Sequence, residues 1–350
     1  MPATVFQSDF TVQHWASTTL QEAEEKLFFN AKGMMGPGAD SIIQRVTELE
    51  NKPGNQVTFQ LQMNLSGSGV KGDSKLRESE EQMVFYPDSI TVDLQRFGVE
   101  EPGMMAQKKV VPQVRARARN ALSLRFREWK EQRMINHLIG NTSETFPATA
   151  LAPTTNRVIY AGKSVTSVDT FTAHARYMFT IQEALRAKDT AMMASPRIRP
   201  IRTVDGEDVY VMLLHPWQAY HLKYGGTDEW SKMWRDSARD AADRGKSNPL
   251  FTGALGMFDG IVFHAHPMFP QRTNSGSVAY STAVLLGQQA LGVAVGSAPF
   301  FAEERNDYDN RRGHAFGQIL GFKKLVFNSE DYGVVAVHSA IQQPAGTDHV

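Results

Sequence analysis

The chain has 350 residues, 41% of them hydrophobic, so it can bury two or three connected cores and is not a disordered protein. Its 37 Lys and Arg residues balance its 37 Asp and Glu residues, which argues against binding nucleic acid through bulk positive charge and suits packing against identical copies. The absence of cysteine excludes disulfides, thiolate metal sites and cysteine nucleophiles.

Residues 1–50 are predicted to form an arm ahead of the main body. Apolar residues at helical spacing favour a helix over Thr11–Phe29, and the glycine-rich run 33–38 follows as a linker. Ser41–Leu49 is predicted as a short second helix, which ends before Pro53 and Gly54.

Residues 51–97 have the pattern of a long hairpin. Apolar and polar residues alternate from Val57 to Leu65, a returning strand is predicted over residues 83–94, and a polar, glycine-rich tip over residues 66–73 connects them. The tip has too few apolar residues to bury itself, so the hairpin is expected to rest on its own body or on a neighbour. An ordinary surface hairpin with a loose tip explains the pattern equally well.

Lys108–Gly140 is predicted as one long helix within a segment that covers residues 98–165. Pro112 suits its first turn and Gly140 its end. The opposite face is rich in arginine, which is consistent with a surface that faces DNA, but a solvated face partly paired with acids is favoured. The apolar stripe consists of Val114, Ala118, Leu122, Phe126, Trp129, Met134, Ile135 and Leu138.

Beyond residue 153, helices and strands interleave without a regular strand–helix–strand repeat, so the fold class is α+β. The predicted helices are Asp169–Lys188, a helix that begins at His215-Pro216-Trp217, and Asp228–Arg244. The predicted strands are Arg157–Tyr160, Tyr210–Leu214, Gly260–His266, Leu325–Phe327 and Tyr332–Ile341.

A search for catalytic and cofactor-binding motifs gives a negative result. Gly162-Lys163-Ser164 ends like a phosphate-binding loop, but Arg157 stands where that motif requires glycine. There is no Gly-x-Ser-x-Gly elbow on a strand-to-helix turn. We therefore predict no catalytic residue and no cofactor. The sequence also predicts no signal peptide and no membrane span, and hence a soluble protein made in a cytoplasm.

The best candidate for a metal site is His264 with His266, because residues two apart in a strand share a face. Asp259, upstream of this pair, and His215, elsewhere in the chain, are further candidates. Two hydrogen-bonded histidines at a strand end are the favoured interpretation, since a usable site needs three or more ligands. The acidic stretch Glu303–Asp309 could hold a divalent ion, but a solvated loop is favoured. The prediction is therefore no metal.

Four stretches, in this order, resemble the major capsid proteins of N4-like tailed phages: residues 210–220, 248–261, 286–290 and 330–334. The order of arm, long hairpin, long helix, α+β lobe and returning strand is similar to the Hong Kong 97 capsid fold. By that resemblance, residues 1–50 are the N-arm, 51–97 the E-loop, 98–165 the P-domain with its spine helix, 166–320 the A-domain, and 321–350 the return to the P-domain.

The resemblance implies a protein without catalytic residues that self-assembles into pentamers and hexamers of an icosahedral virion head. The head would be assembled in the host cytoplasm and would enclose double-stranded DNA without sequence-specific binding and without a membrane. Portal, scaffold and decoration proteins are candidate partners. Some relatives crosslink their shells through lysine, but no motif marks Lys71 or Lys75 for this. The alternatives are an encapsulin-like shell of a bacterial compartment and a metal-dependent enzyme that uses His264 and His266.

Overall fold

A computed structural model of the chain describes residues 28–343 except 52, 63–64, 66, 68, 74, 76, 78–79, 102, 106–113, 203–207, 225–253 and 309. The predicted helix Asp228–Arg244 and most of the predicted helix Thr11–Phe29 lie outside the described residues. None of the described helices is long and apolar enough to cross a lipid bilayer.

Eighteen strands and four α-helices have both ends within the described residues and are here numbered in chain order, and Met104 and Met105 are also helical. The strands are β1 Met35–Gly36, β2 Ile43–Val46, β3 Gln56–Gln62, β4 Phe85–Thr91, β5 Asp93–Glu100, β6 Val158–Tyr160, β7 Ile201–Arg202, β8 Asp208–Leu214, β9 Gly256–Phe258, β10 Ile261–Ala265, β11 Arg272–Thr273, β12 Ala279–Leu286, β13 Leu291–Val295, β14 Phe300–Asn306, β15 Arg311–Lys324, β16 Val326–Phe327, β17 Glu330–Asp331 and β18 Val334–Ala340. The helices are α1 Phe28–Ala31, α2 Val114–Leu138, α3 Ile181–Met193 and α4 Pro216–Tyr224.

One sheet lies against the long helix α2. Its strands run in the order β1-β2-β13-β15-β14, and β5 pairs with the other side of β15. Phe126 and Trp129 of α2 pack edge-on against Phe97 of β5, with ring centroids 6.1 and 5.8 Å apart, and Phe126 also meets Phe316 of β15 at 5.2 Å. From Leu122 to Leu138, the predicted apolar stripe is therefore the buried face of the helix, and aromatic contacts join it to this sheet.

The second sheet has the order β6-β18-β12-β8-β10-β9 and is mixed. Strands β8 and β10 run parallel, whereas β12 pairs antiparallel with both β8 and β18. Strands β18 and β12 are buried over most of their length, as expected of central strands covered on both faces. Helix α3 covers one face with the small residues Ala184, Ala187 and Ala191.

One predicted helix is wrong, and another begins later than predicted. Over Ser41–Leu49 the chain instead forms β2 and a 3₁₀ turn at Glu48–Asn51, because Ile43 pairs with Leu291 of β13 and tertiary pairing overrides local propensity. Over Asp169–Lys188 two 3₁₀ turns come first, and α3 begins only after Thr180, which forms a capping box with Glu183.

Asp169 therefore lies in a 3₁₀ turn and not at the start of an α-helix. Its carboxylate accepts hydrogen bonds from the backbone N–H and hydroxyl of Ser275, at 3.0 and 2.7 Å, and so joins two loops. These bonds hold the pKa of Asp169 below its usual value.

The long strand β15 crosses the predicted lobe boundary at residue 320. Residues 311–320 pair with β5 and β14, and residues 320–324 pair with β13, within one continuous strand. Residues 291–320 therefore belong to the sheet that packs on α2. The α+β class is confirmed, and the division into named lobes stays a prediction.

Helix α2 ends where its sequence predicts. Gly140 has φ +66°, and a Cβ there would lie 2.6 Å from the carbonyl oxygen of Leu151. A residue with a side chain would therefore be strained by its backbone and would also collide with the following loop.

Gly321 on β15 allows a second close approach, since a Cβ at this position would overlap the backbone carbonyl of Thr91 at the end of β4. At Gly313, on the same strand, an added Cβ would lie 3.7 Å from the nearest atom, which is an ordinary van der Waals contact.

We expect Gly321→Ala to lower the free energy of unfolding by about 1–3 kcal/mol, because the added methyl group must push the two strands apart. Gly313→Ala is the matched control and should change the stability by less than about 0.5 kcal/mol. Urea denaturation of the two variants measures the difference. If the two variants lost the same stability, the close approach of the Thr91 carbonyl would not be the reason for glycine at position 321.

Candidate functional site

Strands β3 and β4 form a hairpin that no other described strand extends. They pair antiparallel from Gln56 with Thr91 to Gln62 with Phe85. A two-stranded ribbon is marginally stable in water by itself. Its stability must therefore come from contacts with the body at its base and from whatever covers its far end.

The base of the hairpin is anchored by apolar contacts. Val57, Phe59 and Ile90 are at most 9% exposed and share one buried cluster with Leu325 and Phe327. The period-two pattern predicted from sequence is the reason: alternate residues of β3 face the body, and their neighbours face solvent.

A polar contact on β4 complements this cluster. Lys323 of β15 forms an ion pair with Asp88 and donates a second hydrogen bond to the Ser89 carbonyl at 3.0 Å. The other carboxylate oxygen of Asp88 accepts the Val326 N–H at 3.0 Å. The side chain of Asp88 is only 9% exposed, so these charge-assisted bonds are well shielded and fix the angle at which β4 leaves the body.

The next residue, Lys324, points to the opposite face of the strand and is fully buried. Its ammonium lies 2.8 Å from Oδ2 of Asp331 and 3.3 Å from the Ala152 carbonyl. Asp331 also accepts the Thr154 N–H at 3.1 Å. Burial lowers the pKa of Lys324 and raises that of Asp331, while the charge of each partner opposes these shifts. The pair ties the loop that follows α2 to the closing strands.

The distal half of the hairpin has a different character. Leu65, Met83 and Phe85 are 60%, 58% and 51% exposed, and Val84 beside them is also exposed. Within the tip, the described contact is local: the Gly67 N–H donates to Glu81 at 2.5 Å. Four large apolar side chains close together on one projecting element are typical of a surface that a partner covers.

The hairpin of β14 and β15 presents a second exposed surface. Among the described strands none pairs with the outer edge of β14, and Tyr308 at the turn is fully exposed. Its base is held by His314, whose ring stacks on Phe301 and lies 2.6 Å from Glu101 and 3.6 Å from Glu303. The charged residues of β14 protect this edge from indiscriminate strand pairing.

The structure brings His264 and His266 together, but both rings pack against the ring of Phe28. The Phe28 ring lies 5.6 Å from the ring of His264 and 4.9 Å from that of His266. The buried carboxylate of Glu131 accepts the Phe28 N–H at 2.5 Å and lies 3.7 Å from Nε2 of His266. Nδ1 of His266 accepts the Met268 N–H at 3.2 Å. Burial lowers the pKa of His266 to about 4.

The other metal candidates lie elsewhere. Asp259 pairs with Lys188 at 2.7 Å, and Nδ1 of His215 accepts the Trp217 N–H at 3.1 Å. Glu303 faces His314, and Asp309 lies outside the described residues. Within the part of the chain that the structure describes, no group of three or more His, Asp or Glu side chains could hold a metal ion.

The sequence interpretation missed the anchoring residues Asp88, Lys323, Lys324 and Asp331. A signal was present, because two consecutive lysines interrupt the apolar run from Ile319 to Phe327. A charge within a buried strand requires a partner, but Asp88, the partner of Lys323, lies 235 residues away in sequence and could not be deduced from local pattern. Asp331, the partner of Lys324, lies only seven residues away.

Comparison with known proteins gives one consistent result. A family model described as phage capsid protein matches residues 3–343. The major capsid protein of Pseudomonas phage KPP25 is 28% identical over 361 aligned positions, which cover 93% of this chain and 94% of that protein.

Two solved structures extend the similarity. The capsid of Ralstonia phage GP4 superposes with a TM-score of 0.86 at 26% identity, covering 98% of this chain and all of that chain. A chain of the cyanophage Pam1 capsid superposes with a TM-score of 0.76 at 22% identity and the same coverage, which shows a shared fold. The prediction of a Hong Kong 97-type capsid fold is confirmed.

The histidine cluster predicts acid sensitivity. Because the folded-state pKa of His266, about 4, is below its ordinary value of 6.5, the neutral ring stabilises the folded state above pH 6.5, and this stability is lost as the pH falls towards 4. In His266→Asn the amide oxygen can still accept the Met268 N–H but does not titrate. We expect its loss of stability between pH 6.5 and 4 to be smaller than that of the parent by about 3 kcal/mol.

Chemical denaturation of the unassembled subunit across this pH range measures the effect. The matched control is His174→Asn, since exposed His174 makes the same local bond, from the Arg176 N–H at 3.2 Å, without a buried ring. If the pH dependence of stability in His266→Asn equalled that of the parent, His266 would not be the source of the acid sensitivity.

Proposed function

We propose, from the premise that this chain belongs to the phage capsid protein family, that its copies join as pentamers and hexamers into an icosahedral shell. The function of the chain is that of a major capsid protein, which forms the phage head shell and is part of the virion.

The observation that carries the proposal is the division of the β3–β4 hairpin into an anchored base and an uncovered end. Phe59 and Ile90 are buried in the subunit, whereas Met83 and Phe85 are more than half exposed. Burial of such side chains favours association by roughly 25 cal/mol per Å² of apolar surface removed from water. A neighbouring subunit in the shell is the surface that covers them.

The finer parts of the proposal follow from composition and chemistry. The balanced charge permits many copies to pack closely and suits a shell that encloses double-stranded DNA without sequence-specific binding, because packaged DNA carries its own counterions. We propose that the chain acts without catalysis, is assembled in the host cytoplasm, and meets portal, scaffold and decoration proteins there. Family membership favours a phage head over the enclosing shell of a bacterial compartment.

The lobes are proposed as the sequence predicted them: arm 1–50, E-loop 51–97, P-domain 98–165, A-domain 166–320 and return 321–350. In this scheme the aromatic contacts between α2 and its sheet keep the subunit rigid within the shell. The projecting hairpin contacts the neighbouring subunit.

Negative-stain electron microscopy of the expressed full chain tests the proposal. Closed shells, or rings of five and six subunits, are expected. A monomer that stays dispersed at high concentration, with and without scaffold proteins, would overturn it.

Deletion of residues 67–72 should leave the subunit folded, because no side chain of this tip belongs to a buried cluster of the described residues. The same deletion should impair shell formation, since it shortens the element that reaches the neighbour. Circular dichroism and thermal unfolding measure the fold, and electron microscopy measures the shells. Normal shells from this variant would refute a role of the tip between subunits.

The substitution Phe85→Ala distinguishes an effect on assembly from an effect on the stability of the subunit. In the isolated subunit it should change the free energy of unfolding by less than about 0.5 kcal/mol, because Phe85 is 51% exposed, and it should raise the concentration needed for assembly. The matched change Phe59→Ala, in the same hairpin but 8% exposed, should cost about 3–5 kcal/mol of stability. Assembly of Phe85→Ala at the parent concentration would contradict a contact at this position.

A further inference from the structure

The turn between β14 and β15 is negatively charged. Its acidic stretch Glu303–Asp309 contains four carboxylates and one arginine. Glu304 and Asp307 are exposed to solvent. In the described part of the chain, these carboxylates belong to no group that could hold a metal ion. A cationic surface of a protein is therefore the partner that this charge favours.

Exposed apolar side chains lie beside the same turn. Met104 and Met105 are more than half exposed, and Tyr308 is fully exposed. The Met104 N–H donates to Oδ1 of Asn310 at 3.1 Å, which places the two methionines next to the turn. Methionine side chains are flexible and adapt to irregular apolar partners. We call Met104, Met105 and the stretch Glu303–Asp309 the turn surface.

The end of the β3–β4 hairpin has the complementary character. Leu65, Met83 and Phe85 are more than half exposed. The loop beyond them, residues 67–77, contains three cations, all exposed, and one anion. Opposite charges beside two uncovered apolar surfaces speed encounter and fix the register in which the surfaces meet.

The hairpin end and the turn surface lie at opposite ends of one strand. β15, Arg311–Lys324, has 14 residues and therefore spans about 45 Å. The turn precedes its first residue. Thr91 lies against Gly321 and Asp88 is paired with Lys323, so β4 leads away from the turn. A subunit therefore cannot cover its own turn surface with its own hairpin.

We propose that the hairpin end of one copy of this chain docks on the turn surface of a second copy. The apolar side chains of the two surfaces cover each other, and the cations of residues 67–77 lie against the carboxylates of Glu303–Asp309. Because the two surfaces differ, every copy uses both, and such a head-to-tail contact closes into rings. The inference rests on the proposed shell function and names the surface that receives the hairpin.

Engineered cysteines provide the first test, since the chain has none of its own. Shells of the double variant Met83→Cys with Tyr308→Cys are treated with a short bismaleimide and separated by denaturing electrophoresis. Covalent multimers up to five and six subunits are expected. Met83→Cys with Met193→Cys is the matched control, because Met193 is exposed at the end of α3, outside both surfaces. The control should give about fivefold less multimer, since its cysteines have no raised local concentration.

Charge reversal provides the second test. Lys71→Glu with Lys75→Glu should slow assembly at low salt by about tenfold, because the hairpin then carries the same sign of charge as the turn. Addition of Glu304→Lys and Asp307→Lys to the same chain should restore the parent rate. Lys163→Glu, at an exposed lysine outside both surfaces, is the control and should leave the rate unchanged. Light scattering measures the rate, and thermal unfolding of the unassembled subunit checks the fold.

The outcomes distinguish this contact from the shell function itself. Absence of shells from the parent chain would overturn both. Normal shells in which Met83→Cys and Tyr308→Cys do not crosslink would overturn the contact alone. Covalent dimers from Tyr308→Cys alone would show that two turns meet each other, which would also overturn the contact.

Discussion

Two consecutive lysines at the end of β15 hold the subunit together on both faces of one strand. Successive residues of a strand point in opposite directions, so Lys323 reaches Asp88 on the projecting hairpin while Lys324 reaches Asp331 in the interior. Loss of one partner of a buried pair leaves an uncompensated charge, which typically costs about 3–5 kcal/mol. The position of the hairpin and the closure of the core therefore depend on the register of a single strand.

The same strand explains why the hairpin can project and still be well oriented. β15 contacts β5, β13 and β14, and at Gly321 it lies against the carbonyl of Thr91, where β4 ends. The orientation of the hairpin is set by these contacts at its base, within the subunit. Its far end, where Leu65, Met83 and Phe85 are more than half exposed, is available for the proposed contact with a neighbouring subunit.

The interior combines apolar packing with buried polar side chains, several of them histidines. Burial lowers the pKa of His137, His215, His221, His266 and His338 below the ordinary value. Each ring is therefore neutral at neutral pH and acts as a hydrogen-bonding spacer; His338, for example, bonds to Thr282 at 2.8 Å. A protein without cysteine gains its rigidity from such satisfied polar contacts, from aromatic packing on α2 and from repeated contacts between subunits.

The sequence by itself determined the α+β class, the strand pattern of the hairpin and the apolar stripe of α2, because periods of two and of 3.6 are local properties of the chain. Its ordered motifs also led to the capsid family, which family comparison confirmed. Only the tertiary structure decided that Ile43 belongs to a strand, that α3 starts after Thr180, and that Lys323 and Lys324 meet Asp88 and Asp331. Ile43 and Lys323 depend on Leu291 and Asp88, which are distant in sequence, and a local pattern carries no information about which distant residue will complete a sheet or satisfy a charge. Glu183 and Asp331 lie only three and seven residues from Thr180 and Lys324, but their burial is a property of the fold and not of the local pattern.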